Sequence, residues 1–297
     1  MKIYIFIILI TLFVYSCNDN CKTNQLADQI DTTILGIYNS GYGELRENLN
    51  LFDDSTFIYE EYWYSDYIQK GYPSSKVIKI NGDYLKEQNT IILNPVHYLK
   101  QDIYEDTVKT LIDENYYFSD STKIKTKFYI IKWSENVYLL SEENTNESGL
   151  YFENDFIRFA NSYNSGSEPN YSELYFVKRV NKKRFGKIDI TQIPEKYVSY
   201  FLDTFIEVKI VKIEKDVFFD SLLHTSINKI VLNRGKENGI LEGMEFYSGG
   251  CCNIRIIEVS ENTSTGIIEL CPYHQDACQV GFLLTSWNSK DYGKYAP

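Results

Sequence analysis

Short runs of alternating apolar and polar residues, separated by tight-turn residues, constrain the fold of this chain more than any other feature. Leu49 and Leu51 alternate with asparagines. A polar stretch at residues 53–56 follows, after which Phe57 and Tyr59 resume the alternation. Period-two alternation predicts half-buried strands, and Asp-Asp-Ser-Thr supplies the residue types that tight turns favour. This stretch therefore predicts a β-hairpin.

The same pattern recurs along the first half of the chain. Residues 128–133 and 137–140 flank a second polar turn. A third polar turn lies between the runs at residues 77–85 and 91–93, and Pro95 follows the second of these two runs. Strands joined in sequence by local turns form an antiparallel meander, which most readily closes into an up-and-down barrel and so removes its edges. We therefore expect such a barrel.

One helix is predicted before the last strand of this region. Apolar residues recur there at spacings of three and four, the period of one buried helical face; they are Phe152, Phe156, Phe159, Ala160 and Tyr163. Asn154 is the predicted N-cap, and residues 164–166 are the predicted end of the helix. Residues 174–177 are predicted to form the closing strand.

Several segments of this region share a pattern with a known family. They are Gly36-Ile37-Tyr38, Leu51-Phe52-Asp53-Asp54-Ser55-Thr56-Phe57, Gly82-Asp83-Tyr84, Ile91-Ile92-Leu93-Asn94-Pro95, and Tyr163-Asn164-Ser165-Gly166 before Glu168-Pro169. In these segments residues 34–180 resemble the lipocalin-like domains of exported lipoproteins of the Bacteroidota. The resemblance implies a small barrel, and it brings no catalytic motif with it.

A second set of strands is predicted from residue 204 to residue 288. Ile206, Val208 and Ile210 alternate with charged residues, which indicates a half-buried strand. The other predicted strands are at residues 229–232, 246–247, 254–259, 266–270 and 280–284.

Three glycines lie between the predicted strands at residues 229–232 and 246–247. Gly235, Gly239 and Gly243 are spaced by four residues, and the pair Asn238-Gly239 favours a turn with positive φ. Together with Asn262-Thr263-Ser264-Thr265-Gly266, this order resembles the small β-barrel modules of bacterial envelope proteins such as the rod-shape protein MreC and a flagellar assembly factor. The resemblance implies a scaffolding or docking barrel.

The N-terminal segment predicts export and attachment to lipid. Lys2 precedes an almost unbroken apolar run at residues 3–14, which is too short to span a bilayer comfortably. Val14-Tyr15-Ser16-Cys17 then resembles a bacterial lipobox, with Cys17 as the acylated residue. An ordinary cleaved secretory signal is the alternative. The resemblance implies a lipoprotein of the cell envelope, held in the outer membrane by its acyl chains and facing either the periplasm or the cell surface.

These features divide the chain into six parts. They are a signal peptide (1–17), a tether (18–33), a lipocalin-like β domain (34–180), a basic linker with a short helix (181–203), a small β-barrel (204–288) and a tail (289–297). The predicted fold class is thus mainly β, with an antiparallel up-and-down barrel, a smaller barrel and one or two short helices. Six basic residues between Lys178 and Lys187 mark the boundary, and Pro194 begins the short helix.

The charge of the chain restricts its partners. The formal net charge is −11, so the overall field disfavours nucleic acid and anionic head groups as general partners. We therefore predict no nucleic-acid partner. The basic linker is expected to be a solvated segment that offsets this charge, with contact to anionic lipid as the other interpretation.

Cysteines near the C terminus form the most distinctive constellation of side chains. The hairpin predicted at residues 254–270 sets Cys252 nearly opposite Cys271, and Cys251 then reaches Cys278. Two disulfides are expected, because export places the chain in an oxidising compartment. If they form and Cys17 is acylated, Cys21 is left unpaired.

Zinc is the alternative occupant of this constellation. Cys271 and His274 are separated by two residues, and Cys278 follows after three more, so a Cys₃His set that includes Cys252 is conceivable. Oxidising surroundings disfavour this set, and we predict neither a metal nor another cofactor.

An aromatic run in the first domain suggests a binding surface. Tyr62, Trp63, Tyr64 and Tyr67 lie among carboxylates in the stretch 60–67. Aromatics fall on both faces of any strand formed here, so at least two are expected to reach solvent or a cavity. Exposed Trp and Tyr beside carboxylates suit stacking on a sugar or a protein hot spot. A barrel rim that merely packs is the plainer interpretation.

No catalytic motif emerges from the sequence. It contains no HExxH zinc helix, GxSxG elbow or phosphate-binding glycine loop, and its three histidines have no partner at a defined offset. We therefore expect an envelope lipoprotein that binds a small apolar or glycan ligand or docks an envelope protein. The alternative is a hydrolase that cleaves an envelope polymer or glycan with paired carboxylates of the first domain.

Overall fold

The structure, a computed structural model, describes residues 32–41, 45–64, 72–104, 107–117, 124–143, 154–165, 175–178, 180, 186–220, 225–247, 253–270 and 278–286. For residues 32, 216–220, 225–227 and 269–270 it describes the backbone only. Several residues with predicted roles lie outside these ranges. They are Cys17, Cys21, Tyr67, Cys251, Cys252, Cys271 and His274. A short 3₁₀ turn, Thr32–Ile34, belongs to a unit that ends at Leu35, and both barrels belong to the unit that begins at Gly36.

Nine antiparallel strands build the first sheet. They are β1 (Gly36–Ser40), β2 (Leu45–Leu51), β3 (Thr56–Tyr64), β4 (Ser75–Glu87), β5 (Thr90–Ile103), β6 (Val108–Asn115), β7 (Lys127–Trp133), β8 (Asn136–Leu140) and β9 (Phe176–Lys178). Strands β1 to β5 pair in sequence, β5 continues to β7, β8 and β9, and β9 returns to β1. Eight strands thus close a barrel, which confirms the predicted up-and-down architecture. Strand β6 pairs with the second half of β5 outside this ring.

The hairpin predicted around residue 54 is confirmed. Leu51 pairs with Phe57 and Leu49 with Tyr59, so the apolar members of both strands share one side of the sheet. In the turn, the Asp54 carboxylate accepts the Thr56 backbone N–H at 3.0 Å and the Thr56 hydroxyl at 2.6 Å. Local side-chain hydrogen bonds of this kind are the reason that Asp favours turns.

Strand β5 differs from the sequence prediction. The prediction ended this strand at Pro95, but the strand continues to Ile103. Pro95 lies opposite Gly82, where the pairing of β4 with β5 shifts by one residue. A bulge accommodates a proline, which has no N–H to give to the ladder. At Gly82 a Cβ would lie 2.1 Å from the backbone oxygen of Asn94, so the close approach requires glycine.

Large apolar side chains fill the barrel. Tyr38, Leu49, Phe57, Ile80 and Ile91 are all fully buried. Across the ladders Tyr38 pairs with Leu49, and residues paired in an antiparallel ladder point to the same side of the sheet. The interior at this level is therefore a packed core, and a ligand would have to bind at an end or on the outside.

The predicted helix is present as α1 (Asp155–Ser165). The Asn154 side chain accepts the Phe156 backbone N–H at 2.9 Å, which confirms the predicted N-cap. Phe159 packs on β7 and β8, with its ring centroid 5.8 Å from that of Trp133 and 4.8 Å from that of Tyr138. All five residues of β8 are buried, because one face of this strand lines the barrel and α1 covers the other.

Six antiparallel strands form the second barrel. They are β10 (Glu207–Asp220), β11 (Thr225–Leu232), β12 (Glu245–Tyr247), β13 (Asn253–Val259), β14 (Ser264–Leu270) and β15 (Leu283–Thr285). They close in the order β10-β11-β14-β13-β12-β15. Val208, Ile210, Ile230, Leu232 and Phe246 fill the core. The predicted smaller β-barrel is thereby confirmed.

The turn predicted at Asn238-Gly239 is present. Gly239 follows a 3₁₀ turn, Lys236–Asn238, and adopts the left-handed conformation with φ 78°. Gly243 also has a positive φ, of 87°, and a Cβ there would lie 2.9 Å from Ile157 on α1. Both positions therefore favour glycine, and at Gly243 close packing adds to the backbone requirement.

Two asparagines of α1 connect the barrels. The Asn161 amide donates to the Gly243 oxygen at 2.8 Å and accepts the Glu245 N–H at 3.2 Å. One turn further on, the Asn164 amide donates to the Tyr200 oxygen at 2.8 Å and accepts the Leu202 N–H at 3.0 Å. Each amide thus pairs with a backbone C=O and with the backbone N–H two residues later.

A short predicted helix lies in this connection. It is α2 (Glu195–Val198), and Pro194 precedes it as predicted. The Tyr200 hydroxyl then donates to the Glu242 oxygen at 3.0 Å, which adds a further contact between the connection and the second barrel.

Candidate binding face of the first barrel

Strand β3 presents the predicted aromatic run on its two faces. Tyr62 and Tyr64 point to one side of the strand and Trp63 to the other. Trp63 is 47% exposed and Tyr64 is 44% exposed, whereas Tyr62 is half-buried. Tyr67 lies outside the described residues, so the structure brings together three of the four predicted aromatics.

Two carboxylates share the face of Trp63. Glu47 on β2 lies directly opposite Glu61 on β3. The Tyr59 hydroxyl donates to Glu47 Oε1 at 2.6 Å and lies 3.0 Å from Glu61 Oε2. The indole N–H of Trp63 donates to Glu61 Oε1. We call these four residues, Glu47, Tyr59, Glu61 and Trp63, the Trp63 cluster.

The Tyr59 hydroxyl reduces the repulsion between the two carboxylates of this cluster. Burial raises the pKa of Tyr59 well above its usual value of 10.0, and the negative charges of Glu47 and Glu61 raise it further. The hydroxyl therefore keeps its proton. Like charges placed directly across a ladder repel each other, and the shared hydroxyl offsets this repulsion. The result is a pair of carboxylates in fixed positions beside an exposed indole.

The face continues onto β5 and β6. Tyr98 on β5 pairs with Ile80 on one side and with Glu114 of β6 on the other. Burial raises the pKa of Tyr98, and Glu61 and then Glu114 add to the effect. The exposed Glu114, which is paired with the buried Tyr98, therefore lies on the same side of the sheet as the Trp63 cluster.

The opposite face of β3 has a different character. The rings of Tyr62 and Tyr64 stack with their centroids 6.2 Å apart, and the Arg46 guanidinium lies 5.5 Å from the centroid of Tyr64. The ring of Tyr64 therefore already contacts a ring and a cation. Among the residues that the structure describes, no second ring and no cation stacks on the indole of Trp63. Trp63 consequently has the more accessible apolar face.

Two further residues that the sequence analysis considered, Cys278 and His97, lie within the described ranges. Cys278 is buried in the core of the second barrel. His97 lies in β5, and its Nε2 is 2.8 Å from Asp113 in an exposed pair. The described part of the chain contains no group of three or more potential metal ligands. The Cys₃His alternative lies mostly outside that part.

Sequence reasoning missed Glu47 and Tyr59. The signal for them was present, because counting outward from the predicted turn sets Leu51 against Phe57 and, four residues further on, Glu47 against Glu61. Without that register, none of the 41 acidic residues stood out as a pair.

Comparisons with family models, curated proteins and solved structures found no match to this chain. Neither helix in the described ranges combines the length and the apolar character that crossing a membrane requires. The assignment of a role therefore depends on the geometry of the site and on the sequence patterns.

Proposed function

We propose that this chain is an acylated lipoprotein of the cell envelope, and that its first barrel binds a glycan through the Trp63 cluster. The proposal rests mainly on one observation, the exposed indole of Trp63 held against a pair of ordered carboxylates. The second barrel is proposed to dock an envelope protein, in keeping with the modules that it resembles.

The chemistry of the Trp63 cluster suits a sugar. The flat face of an indole packs against the C–H faces of a pyranose ring, and fixed carboxylates accept hydrogen bonds from its hydroxyls. Because Glu61 accepts from the indole N–H and Glu47 from Tyr59, the geometry is set before a ligand arrives. Preorganised groups lose less entropy on binding. Trp63 and Glu61 lie on the same side of β3 as the buried Phe57, near the end of the strand, so the packed core leaves the end of the barrel as the place for a ligand.

The test compares two exposed aromatics on opposite faces of β3. Oligosaccharides from peptidoglycan and from outer-membrane polysaccharide are titrated into the full-length protein by calorimetry. Trp63→Ala should weaken binding at least about tenfold, because it removes the stacking surface at the centre of the site. Tyr64→Ala is the matched control, since it removes a similarly exposed ring from the other face, and it should leave the affinity within about twofold. Equal losses in both variants, or no binding by the parent protein, would refute the proposal.

The membrane anchor has its own test. The apolar run at residues 3–14 followed by Cys17 supports acylation of that sulfur. Mass spectrometry of protein isolated from cells should detect diacylglycerol on Cys17, and the added mass should be absent from Cys17→Ser. An intact leader on the isolated protein would contradict this part of the proposal.

The carboxylate pair supports hydrolysis as a second candidate function. Retaining glycosidases use two carboxyl groups roughly 5 Å apart, and Glu47 and Glu61 both lie within hydrogen-bond reach of one hydroxyl. Under this alternative, Glu61→Gln should abolish release of reducing ends from the same oligosaccharides even at concentrations that saturate the variant. Binding without turnover by the parent protein would exclude the alternative.

Disulfides are proposed to stabilise the second barrel. Cys278 lies at its core, and the predicted partners are Cys251 for Cys278 and Cys252 for Cys271. Mapping of peptides without reduction should recover these two cross-links.

A further inference from the structure

Apolar side chains are exposed in the turn that precedes β15 and at the first residue of that strand. Val280 is 62% exposed, Phe282 38% and Leu283 57%. The Phe282 N–H donates to the Gln279 oxygen at 3.1 Å, which closes a β-turn with Val280 near its tip and Gly281 at φ 96°. Polar residues and glycine dominate such tips, so turn chemistry does not explain the apolar side chains.

Strand β10 continues this surface. The Ile210 N–H donates to the Phe282 oxygen at 3.0 Å, and the Gly281 N–H donates to the Ile210 oxygen at 2.8 Å. The next residue of β10, Val211, is also exposed. Lys209 pairs with Leu283, and its Cε lies 4.0 Å from the position of a Cβ on Gly281. We call Lys209, Val211, Val280, Phe282 and Leu283 the β15 turn patch.

We propose that the β15 turn patch contacts a phospholipid bilayer. Val280, Phe282 and Leu283 would enter the boundary between head groups and acyl chains. Lys209 would extend its apolar stem along the same surface and place its ammonium group at the lipid phosphates. This is a second point of contact, distinct from the lipid on Cys17, and it orients the second barrel against the membrane.

The size and shape of the patch favour a bilayer over a protein partner. A specific protein interface buries roughly 800 Å² on each partner and is closely packed. A single protruding turn with one flanking strand is small for that purpose. A few apolar side chains beside a cation are sufficient for an interfacial contact with lipid.

The patch itself contains a cation although the chain as a whole is acidic. Lys209 forms no ion pair with the other described residues, whereas the neighbouring Lys212 is paired with Glu214. At physiological ionic strength charges more than about 8 Å apart are largely screened. The side chains of the patch and its free ammonium group therefore matter more at the membrane surface than the net charge of −11.

Depth-dependent fluorescence quenching tests the contact in the full-length protein. Val280→Trp and Leu283→Trp variants are reconstituted into phosphatidylethanolamine vesicles with a minor fraction of phosphatidylglycerol, with and without lipids brominated at shallow chain positions. Leu85→Trp is the matched control, because Leu85 is 55% exposed on a strand of the first barrel. The signal of the parent protein is subtracted.

We expect brominated lipid to reduce the added fluorescence about twofold at positions 280 and 283 and to leave that at position 85 unchanged. Reconstitution works with either an acyl anchor or an uncleaved apolar segment, so this result is independent of the proposed glycan site and of acylation. Absence of quenching at 280 and 283, or equal quenching at 85, would overturn the proposal. So would protection from quenching together with dimers in analytical ultracentrifugation, which would assign the patch to a second copy.

Discussion

At the scale of single residues, burial and two neighbouring carboxylates both act on the ionisation of Tyr59. Its hydroxyl lies between two carboxylates in a side chain that is almost completely buried. A phenol in such a place strongly prefers its neutral form, since ionisation would add a third negative charge where water cannot solvate it.

This preference makes stability depend on pH in the alkaline range. The pKa of Tyr59 is about 10 in the unfolded chain and higher in the folded one, so above pH 10 the unfolded state loses its proton first. The contribution of Tyr59 is therefore complete below pH 10, and it is lost at up to about 1.4 kcal/mol per pH unit as the pH rises further. In Tyr59→Phe this part of the decline should disappear. Unfolding free energies from urea titrations above pH 9 measure it, and identical slopes for both proteins would contradict the assignment.

A second, half-buried tyrosine beside a carboxylate provides the comparison. Tyr247 in the second barrel donates to Glu245 Oε2 at 2.7 Å, and burial followed by the Glu245 charge raises its pKa well above 10.0. Tyr247→Phe should reduce the alkaline decline as well, and the double variant should show the combined effect.

At the scale of elements, turns and caps were predictable because they depend on neighbours in sequence. The Asp54 carboxylate accepts a hydrogen bond from the Thr56 N–H, and the Asn154 side chain accepts one from the Phe156 N–H. Pro95 was misinterpreted as the end of a strand for the same reason. Its effect depends on Gly82 of the neighbouring strand, which local reasoning does not include.

The bulge at Gly82 gives a prediction at this scale. Gly82→Ala should destabilise the protein by more than about 2 kcal/mol, because its Cβ would overlap the Asn94 oxygen and the backbone of β5 would have to move. Gly186→Ala is the control, since that glycine has φ 71° and open space around it, and strain alone costs about 1 kcal/mol. Equal losses in urea denaturation would mean that the close approach is unimportant.

The cysteine prediction shows the same dependence on register. It assumed straight counting along the hairpin of β13 and β14, whereas the pairing shifts by one residue between Ile256 and Glu258. The predicted pairing of the cysteines therefore stays a prediction for peptide mapping to decide.

At the scale of the whole molecule, α1 contacts both barrels. Its aromatic face packs on β7 and β8, and Asn161 reaches the segment that begins β12. Because the Asn161 amide pairs with one backbone acceptor and one backbone donor of the second barrel, it couples the packing of the first barrel to the second.

This coupling should be visible in calorimetry. Asn161→Ala leaves the Gly243 oxygen and the Glu245 N–H without their side-chain partner, so it should lower the free energy of unfolding by about 2–3 kcal/mol. We expect one melting transition in the parent protein, and this transition should broaden or split in two in the variant. Asn161→Asp keeps the acceptor and loses the donor, so its effect should be intermediate. An unchanged melting profile in Asn161→Ala would show that the amide does not couple the barrels.

The sequence by itself determined the class of this fold, because hydrophobic period, turn residues and capping residues act over a few neighbouring positions. It specified the hairpin at Asp54, the cap at Asn154 and the aromatic run on β3. Only the tertiary structure decided which carboxylate faces Trp63 and where the two barrels meet. Both depend on register between strands and on packing between distant segments, and a pairing of Glu47 with Glu61 exists only once the chain has folded back on itself.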